Sequence, residues 1–184
     1  MSKLLLIMGD LATGKSTFAT ILSQRYGVSM FGKDTIKEVL GDTIGFANRE
    51  ENLKLSKATM ELMLFLFTEF EKLGKTLILE SNFHTGELER LHELAKAQGY
   101  EILTIVLRGD AEILHKRYLH RMQHENRHPV HLSTTLDVYE EFKGYLEGTR
   151  EEAIPGNHLE VSANDFTYQT DETLLEKIDI FMER

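Results

Sequence analysis

Apolar residues fall along this chain in two ways. Some form short unbroken runs; others recur every three or four positions through longer stretches. The first pattern marks strands covered on both faces, and the second marks amphipathic helices packed against them. Five runs read as strands: Lys3–Met8, Val28–Phe31, Thr76–Ser81, Glu101–Leu107 and His158–Ser162. The helical pattern predicts helices over Lys15–Tyr26, Lys33–Leu40, Glu50–Leu73, Glu87–Gln98, Asp110–His124, Thr135–Gly148 and Asp171–Met182. Regular alternation of the two predicts an α/β fold, a parallel sheet with helices on both faces. The stretch Met60–Phe70 is apolar on most faces and is read as a core helix. It is too short for the ~20 residues of a membrane span, and Glu61, Glu69 and Glu71 interrupt it.

The 184 residues suffice for one domain with a core that needs no covalent staple. No repeat, low-complexity tract or linker divides them, so residues 1–184 are read as one unit. The chain has no cysteine, which excludes disulfides and thiolate metal sites and fits a cytoplasmic location. The apolar run before Gly9 is too short for a signal-peptide core. A net charge of −9 argues against a nucleic-acid partner, because an acidic surface repels a phosphate backbone. Residues 108–131 are the exception. They carry Arg108, Lys116, Arg117, Arg121 and Arg127 with five histidines, an island suited to a small anionic ligand.

The sharpest chemical signal is the pattern G-x-x-x-x-G-K-S at Gly9, Gly14, Lys15 and Ser16. It lies between a predicted strand and a predicted helix, the context this phosphate-binding loop requires. Gly9 and Gly14 allow backbone angles and close approach that a Cβ would block. Loop amides and the helix N-terminus offer partial positive charge to phosphates. Lys15 adds a full charge, and the Ser16 hydroxyl is a ligand for Mg²⁺. The expected nucleotide cradle is Gly9, Asp10, Leu11, Ala12, Thr13, Gly14, Lys15, Ser16 and Thr17, with ATP as the nucleotide. Thr13 and Thr17 are read mainly as loop filling and helix packing, with Thr17 able to reach an α-phosphate.

Two carboxylates end the neighbouring strands. Asp34 follows the second strand, where open α/β sheets bind ligands. It can accept a hydroxyl proton, or it can cap the next helix. Lys37 lies one turn further on, either toward the same site or in solvent. Glu80 ends the third strand, followed by Ser81 and Asn82, as a metal-side carboxylate and substrate contact or as a plain polar cluster. Beyond the fourth strand, Arg117 and Arg121 share a helix face, and Pro129 then breaks the helical pattern. His120, His124, His128 and His131 have metal-like spacing but no thiolate or clear carboxylate partner.

The loop at 9–16, the stretch GKDTIKE at 32–38, LILESNF at 77–83 and the RHPVH segment at 127–131 resemble one group. They are similar to small P-loop kinases related to polynucleotide 5′-hydroxyl kinase, zeta-toxin kinases and gluconate-type kinases, and most to ATP-binding relatives of unassigned function. That resemblance implies a three-layer P-loop fold of strand order 2-3-1-4-5. It implies Asp34 as the general base, Lys37 and Asn82 as acceptor contacts, and Ser16 with Glu80 on the metal. These kinases more often carry Asp at the Glu80 position, which implies contact to the metal through water. Residues from about 115 to 133 become a lid whose Arg121 and Arg127 stabilise the transferring phosphoryl group, with Arg117 beside the nucleotide. The loop after the fifth strand, Glu160–Phe166, lies against the adenine ring in such kinases.

The expected activity is ATP- and Mg²⁺-dependent phosphoryl transfer to a hydroxyl of a small molecule. Polynucleotide 5′-hydroxyl kinase stays open, although it carries Arg where this chain has Lys37, which lacks the bidentate fork. A nucleoside monophosphate kinase would need an arginine set for the acceptor phosphate, and residues 32–60 offer only Arg49. A nucleotide-binding regulator without turnover is the reading from a different class. Ser162-Ala163 faintly echoes a GTPase box, but no Asn-Lys-x-Asp segment precedes it.

Overall fold

A computed structural model describes residues 2–132 and 136–183. The strands are β1 (Lys3–Gly9), β2 (Ser29–Gly32), β3 (Leu77–Glu80), β4 (Glu101–Arg108) and β5 (His158–Ser162). The helices are α1 (Lys15–Tyr26), α2 (Lys33–Ile44), α3 (Arg49–Lys72), α4 (Thr85–Ala97), α5 (Ala111–His124), α6 (Tyr139–Arg150) and α7 (Glu172–Glu183). Short 3₁₀ turns occupy Pro129–His131 and Thr167–Thr170. All four strand pairings are parallel, in the order β2-β3-β1-β4-β5.

The period-2 alternation of β1 builds two separate cores. Leu4, Leu6 and Met8 face α3 and α4, packing with Met60, Met63, Phe67, Leu88 and Leu91. Leu5 and Ile7 face α1 and α7, packing with Phe18, Leu22, Leu174 and Ile178. A third cluster joins α5 to α6 through Leu114, Tyr118, Phe142 and Leu146, with Ala12 of the phosphate loop among them. The loop therefore rests on packed side chains on its α5–α6 side.

Three expectations change. The helix over Met60–Phe70 buries only the stripe Met60, Met63, Leu64 and Phe67, while Leu62 and Phe65 face solvent. Its apolar run is wider than its contact with the sheet. The second helix does not end at Leu40; it runs through Gly41 to Ile44 and stops at Gly45, whose φ is +76°. The sixth helix begins at Tyr139 and reaches Arg150, because Val138 has extended backbone angles. Thr135, expected to open that helix, and Ser133, expected to end the lid, lie outside the described residues. Among the described residues no helix is long and apolar enough to cross a membrane.

Candidate active site

The C-terminal ends of β1, β2 and β3 open onto a cleft of about 900 Å³. The phosphate loop forms its floor. At Gly9, with φ +129°, a Cβ would stand 2.0 Å from the Leu107 carbonyl oxygen, so β4 approaches too closely for any side chain. The Asp10 amide then donates to that same carbonyl at 2.8 Å. Gly14, also left-handed, passes beneath Phe166 and the Tyr168 hydroxyl. Tyr168 donates that hydroxyl to the Thr13 carbonyl at 2.7 Å, and the Thr13 hydroxyl donates to the Asp10 carbonyl at 2.8 Å. Leu11, Ala12, Thr13, Gly14, Lys15, Ser16 and Thr17 line the cleft; Gly9 and Asp10 do not.

Asp10 acts behind the loop. Its buried carboxylate takes both arms of Arg150 from α6, at 3.2 and 2.5 Å, and accepts the Gly109 amide at 3.0 Å. Arg150 donates a further bond to the Gly109 carbonyl at 2.6 Å. This clamp ties the loop to the end of β4 and to α6. Sequence reasoning missed Arg150, and no local signal could pair residues 140 positions apart.

Lys15 curls across the loop and donates to the carbonyls of Asp10 at 2.6 Å and Gly9 at 3.2 Å. Burial pulls its ammonium below the ordinary value, while the carboxylates of Glu80, Asp34 and Asp10 oppose that pull. Ser16 donates its hydroxyl to Glu80 Oε2 at 3.0 Å. Glu80 is buried at the end of β3, and burial raises its carboxyl above the usual range despite Lys15 and Ser16 nearby. Gly32 makes room for it: a Cβ there would stand 3.1 Å from Glu80 Oε2. A hydroxyl and a carboxylate side by side are the oxygen donors a hard divalent cation takes, so Ser16 and Glu80 fit Mg²⁺.

Asp34 lines the same cleft and is exposed. The N-cap of α2 is Gly32, not Asp34, which sits in the first helical turn without a side-chain capping bond. Lys37 does not line the cleft. It donates to the Val130 carbonyl at 3.3 Å, and Lys33 takes the place toward the cleft. Asn82 does line it, beside Ser81, His84 and Tyr145. Tyr145 is a residue the sequence did not flag. Burial raises its phenol, a hydrogen bond with Asn82 opposes this, and the carboxylates of Glu152, Asp34 and Asp10 add to the rise. Ser81 Oγ and Asn82 Oδ1 are buried without a hydrogen-bond partner.

Arg117, Arg121 and Arg127 all border the cleft. Arg117 is already committed: it donates to the Ala163 and Asn164 carbonyls, each at 2.6 Å, and lies 4.3 Å over the Phe166 ring. Arg121 pairs with Glu125 at 3.2 Å. The histidines are engaged separately. His120 and His124 stack on each other, whereas His128 and His131 reach carboxylates of α2. Among the described residues no three metal-ligating side chains converge.

A sequence model of the family AAA_18, described as an AAA domain, matches residues 5–141. The chain belongs to that family. No curated protein matches it in a sequence search. Among solved structures it is similar to a candidate kinase from Chloroflexus aurantiacus, at 24% identity and a TM-score of 0.81, covering 98% of each chain. A sugar kinase from Janibacter sp. HTCC2649 matches at 15% identity and TM-score 0.64, over 98% of this chain and 96% of the other. The tunicamycin resistance protein of Deinococcus radiodurans matches at 18% identity and TM-score 0.62, over 97% and 96%. The fold is thus that of the small P-loop kinases, in its strand order and its flanking helices.

Proposed function

We propose that this protein is an ATP- and Mg²⁺-dependent kinase that phosphorylates a hydroxyl of a low-charge small molecule. The observation that carries the reading is the convergence of Asp34, Glu80, Lys15 and Ser16 on one cleft floored by the phosphate loop. The nucleotide phosphates take the loop amides, and the base lies beside the stacked Arg117–Phe166 pair. Ser16 and Glu80 would hold Mg²⁺, which supplies charge neutralisation on the phosphates. Asp34 accepts the acceptor's hydroxyl proton as its oxygen bonds to the γ-phosphorus and the bond to the ADP oxygen breaks. Lys15, freed from the loop carbonyls, follows the transferring phosphoryl group. Arg121 and Arg127, on the lid over about 115–133, cover it and exclude water.

Charge supports a low-charge acceptor. Near Asp34, Lys33 pairs with Glu87 at 3.4 Å, His84 with Glu152 at 2.6 Å, and Lys37 is spent on Val130. These basic side chains therefore already have partners, while Asn82, Ser81 and Tyr145 offer hydrogen bonds. The structural similarity to a sugar kinase agrees with such an acceptor.

The test is ATP consumption against sugars, nucleosides, antibiotics and 5′-hydroxyl oligonucleotides at two salt concentrations. A small neutral acceptor is expected to turn over with little salt dependence. Efficient oligonucleotide labelling that collapses as salt rises would favour polynucleotide kinase instead. On the acceptor found, Asp34→Asn is expected to lower kcat by ~10²–10⁴, the usual worth of a general base, with ATP affinity unchanged. Lys15→Ala is the inactive, folded control.

A further inference from the structure

One stripe of α2 is met at successive points by a single short segment. Asp34, Lys37, Glu38, Gly41 and Asp42 follow the i, i+3, i+4, i+7, i+8 spacing of one helix face. Residues His128–His131 lie on that face. His131 Nε2 is 2.8 Å from Glu38 Oε1, and its Nδ1 is 4.0 Å from Asp34 Oδ1. His128 Nε2 is 2.9 Å from Asp42 Oδ1. The Val130 carbonyl accepts from Lys37 at 3.3 Å and from the buried Asn52 amide of α3 at 2.9 Å.

The Val130 side chain, 1% exposed, fills a notch that exists only because residue 41 is glycine. A Cβ on Gly41 would stand 2.4 Å from Val130 Cγ1. Valine is stiff at χ1, so a larger residue at 41 cannot be met by rotating Val130 aside; the turn itself must lift. Arg127 directly precedes this turn and borders the cleft.

We infer that the turn His128–His131 locks the tip of the lid to the helix carrying Asp34. Val130 and His131 are then positioning residues that hold Arg127 and the base in one rigid unit. This rests on the kinase reading for the roles of Asp34 and Arg127, but the rigid unit itself does not. Lys37 serves that unit through the Val130 carbonyl and is not an acceptor contact.

A size swap tests it on the full chain. Gly41→Ala raises intrinsic helix propensity, so a loss of order in this variant is not a simple loss of helix. It is expected to speed hydrogen exchange by ~10-fold or more, together, in Asp34–Asp42 and Arg127–Leu132, as local opening would. Val130→Ala on the same background removes the opposing methyl groups and is expected to return both segments toward wild type. On the acceptor found by the screen, Gly41→Ala is expected to lower kcat with the KM for ATP unchanged, and the double variant to recover it. His131→Gln, which keeps a donor for Glu38, is expected to retain more kcat than His131→Ala. Independent exchange of the two segments, or no recovery in the double variant, would overturn the proposal. The exchange result stands whether or not any acceptor is phosphorylated, so failure of the kinase reading is a separate outcome.

Discussion

Removal of Arg150 is the perturbation whose size the structure defines best. Asp10 is 4% exposed, and both of its oxygens are met by one guanidinium, with only the Gly109 amide besides. In Arg150→Ala that carboxylate stays buried with a single donor. Breaking a fully buried pair costs about 3–5 kcal/mol, because a charge is left without compensation. The Arg150 side chain is 31% exposed, so water can enter where it stood. That screening reduces the expected loss to about 2–3 kcal/mol. For a chain of this size each kcal/mol moves the melting temperature by about 2–4 °C, which gives a fall of roughly 4–12 °C. Arg150→Lys keeps the charge but loses the fork, and belongs in between. Urea unfolding of the three proteins, monitored by far-UV circular dichroism, supplies the free energies. A fluorescent-ATP titration should show weaker binding in parallel, since Asp10 and Gly109 fix the loop from behind. An Arg150→Ala protein within about 0.5 kcal/mol of wild type would refute the clamp, since that is the range of an inert surface change.

Two further outcomes follow from the same geometry. Glu80 has a folded pKa above its ordinary value of 4.5, so the folded state holds its proton more tightly and loses stability as pH rises through that interval. Glu80→Gln should therefore raise the melting temperature at neutral pH, an advantage that shrinks as pH falls toward 4.5, while nucleotide-dependent Mg²⁺ binding weakens; equal melting temperatures at neutral pH would count against it. Arg117→Ala removes the cation over Phe166 and the two carbonyl bonds, and a cation–π contact is worth about 0.5–2 kcal/mol. That energy is a loss of protein stability, read by urea unfolding; ATP affinity measured by calorimetry should fall as well, since Phe166 loses its support beside the cleft, and unchanged affinity would remove Arg117 from the nucleotide site.

What the chain disclosed about itself depended on the range of each interaction. β5 is found where its apolar run lies, and β1 and β4 each extend one residue further. These strands are set by local composition, and the phosphate loop by glycines whose reason lies within a few residues. Gly41 lies inside α2, beyond the end expected at Leu40. The room it leaves is taken by Val130, far along the chain, and no window around residue 41 contains that partner. Lys37 had the right spacing to accompany Asp34, yet its ammonium goes to a backbone carbonyl, an acceptor every residue carries. Tyr145 lies inside the helix expected over Thr135–Gly148, and only the tertiary fold turns it toward Asn82.

The position of β1 in the middle of the sheet has a consequence for biosynthesis. Its partners on either side are Leu77–Glu80 and Glu101–Arg108. Leu4-Leu5-Leu6-Ile7-Met8, fully buried in the finished protein, leaves the ribosome long before either flank exists. At translation speeds of ~5–20 residues per second, about 100 residues take roughly 5–20 s to follow. Until Leu77–Glu80 has followed, the most apolar segment of the chain has two unpaired edges, and until α3 has followed, its Leu4–Leu6–Met8 face has no covering helix. Nascent-chain chaperones have a defined target in this strand. Slowing translation across α3 would lengthen the exposure and lower the soluble yield without changing a single contact of the native state.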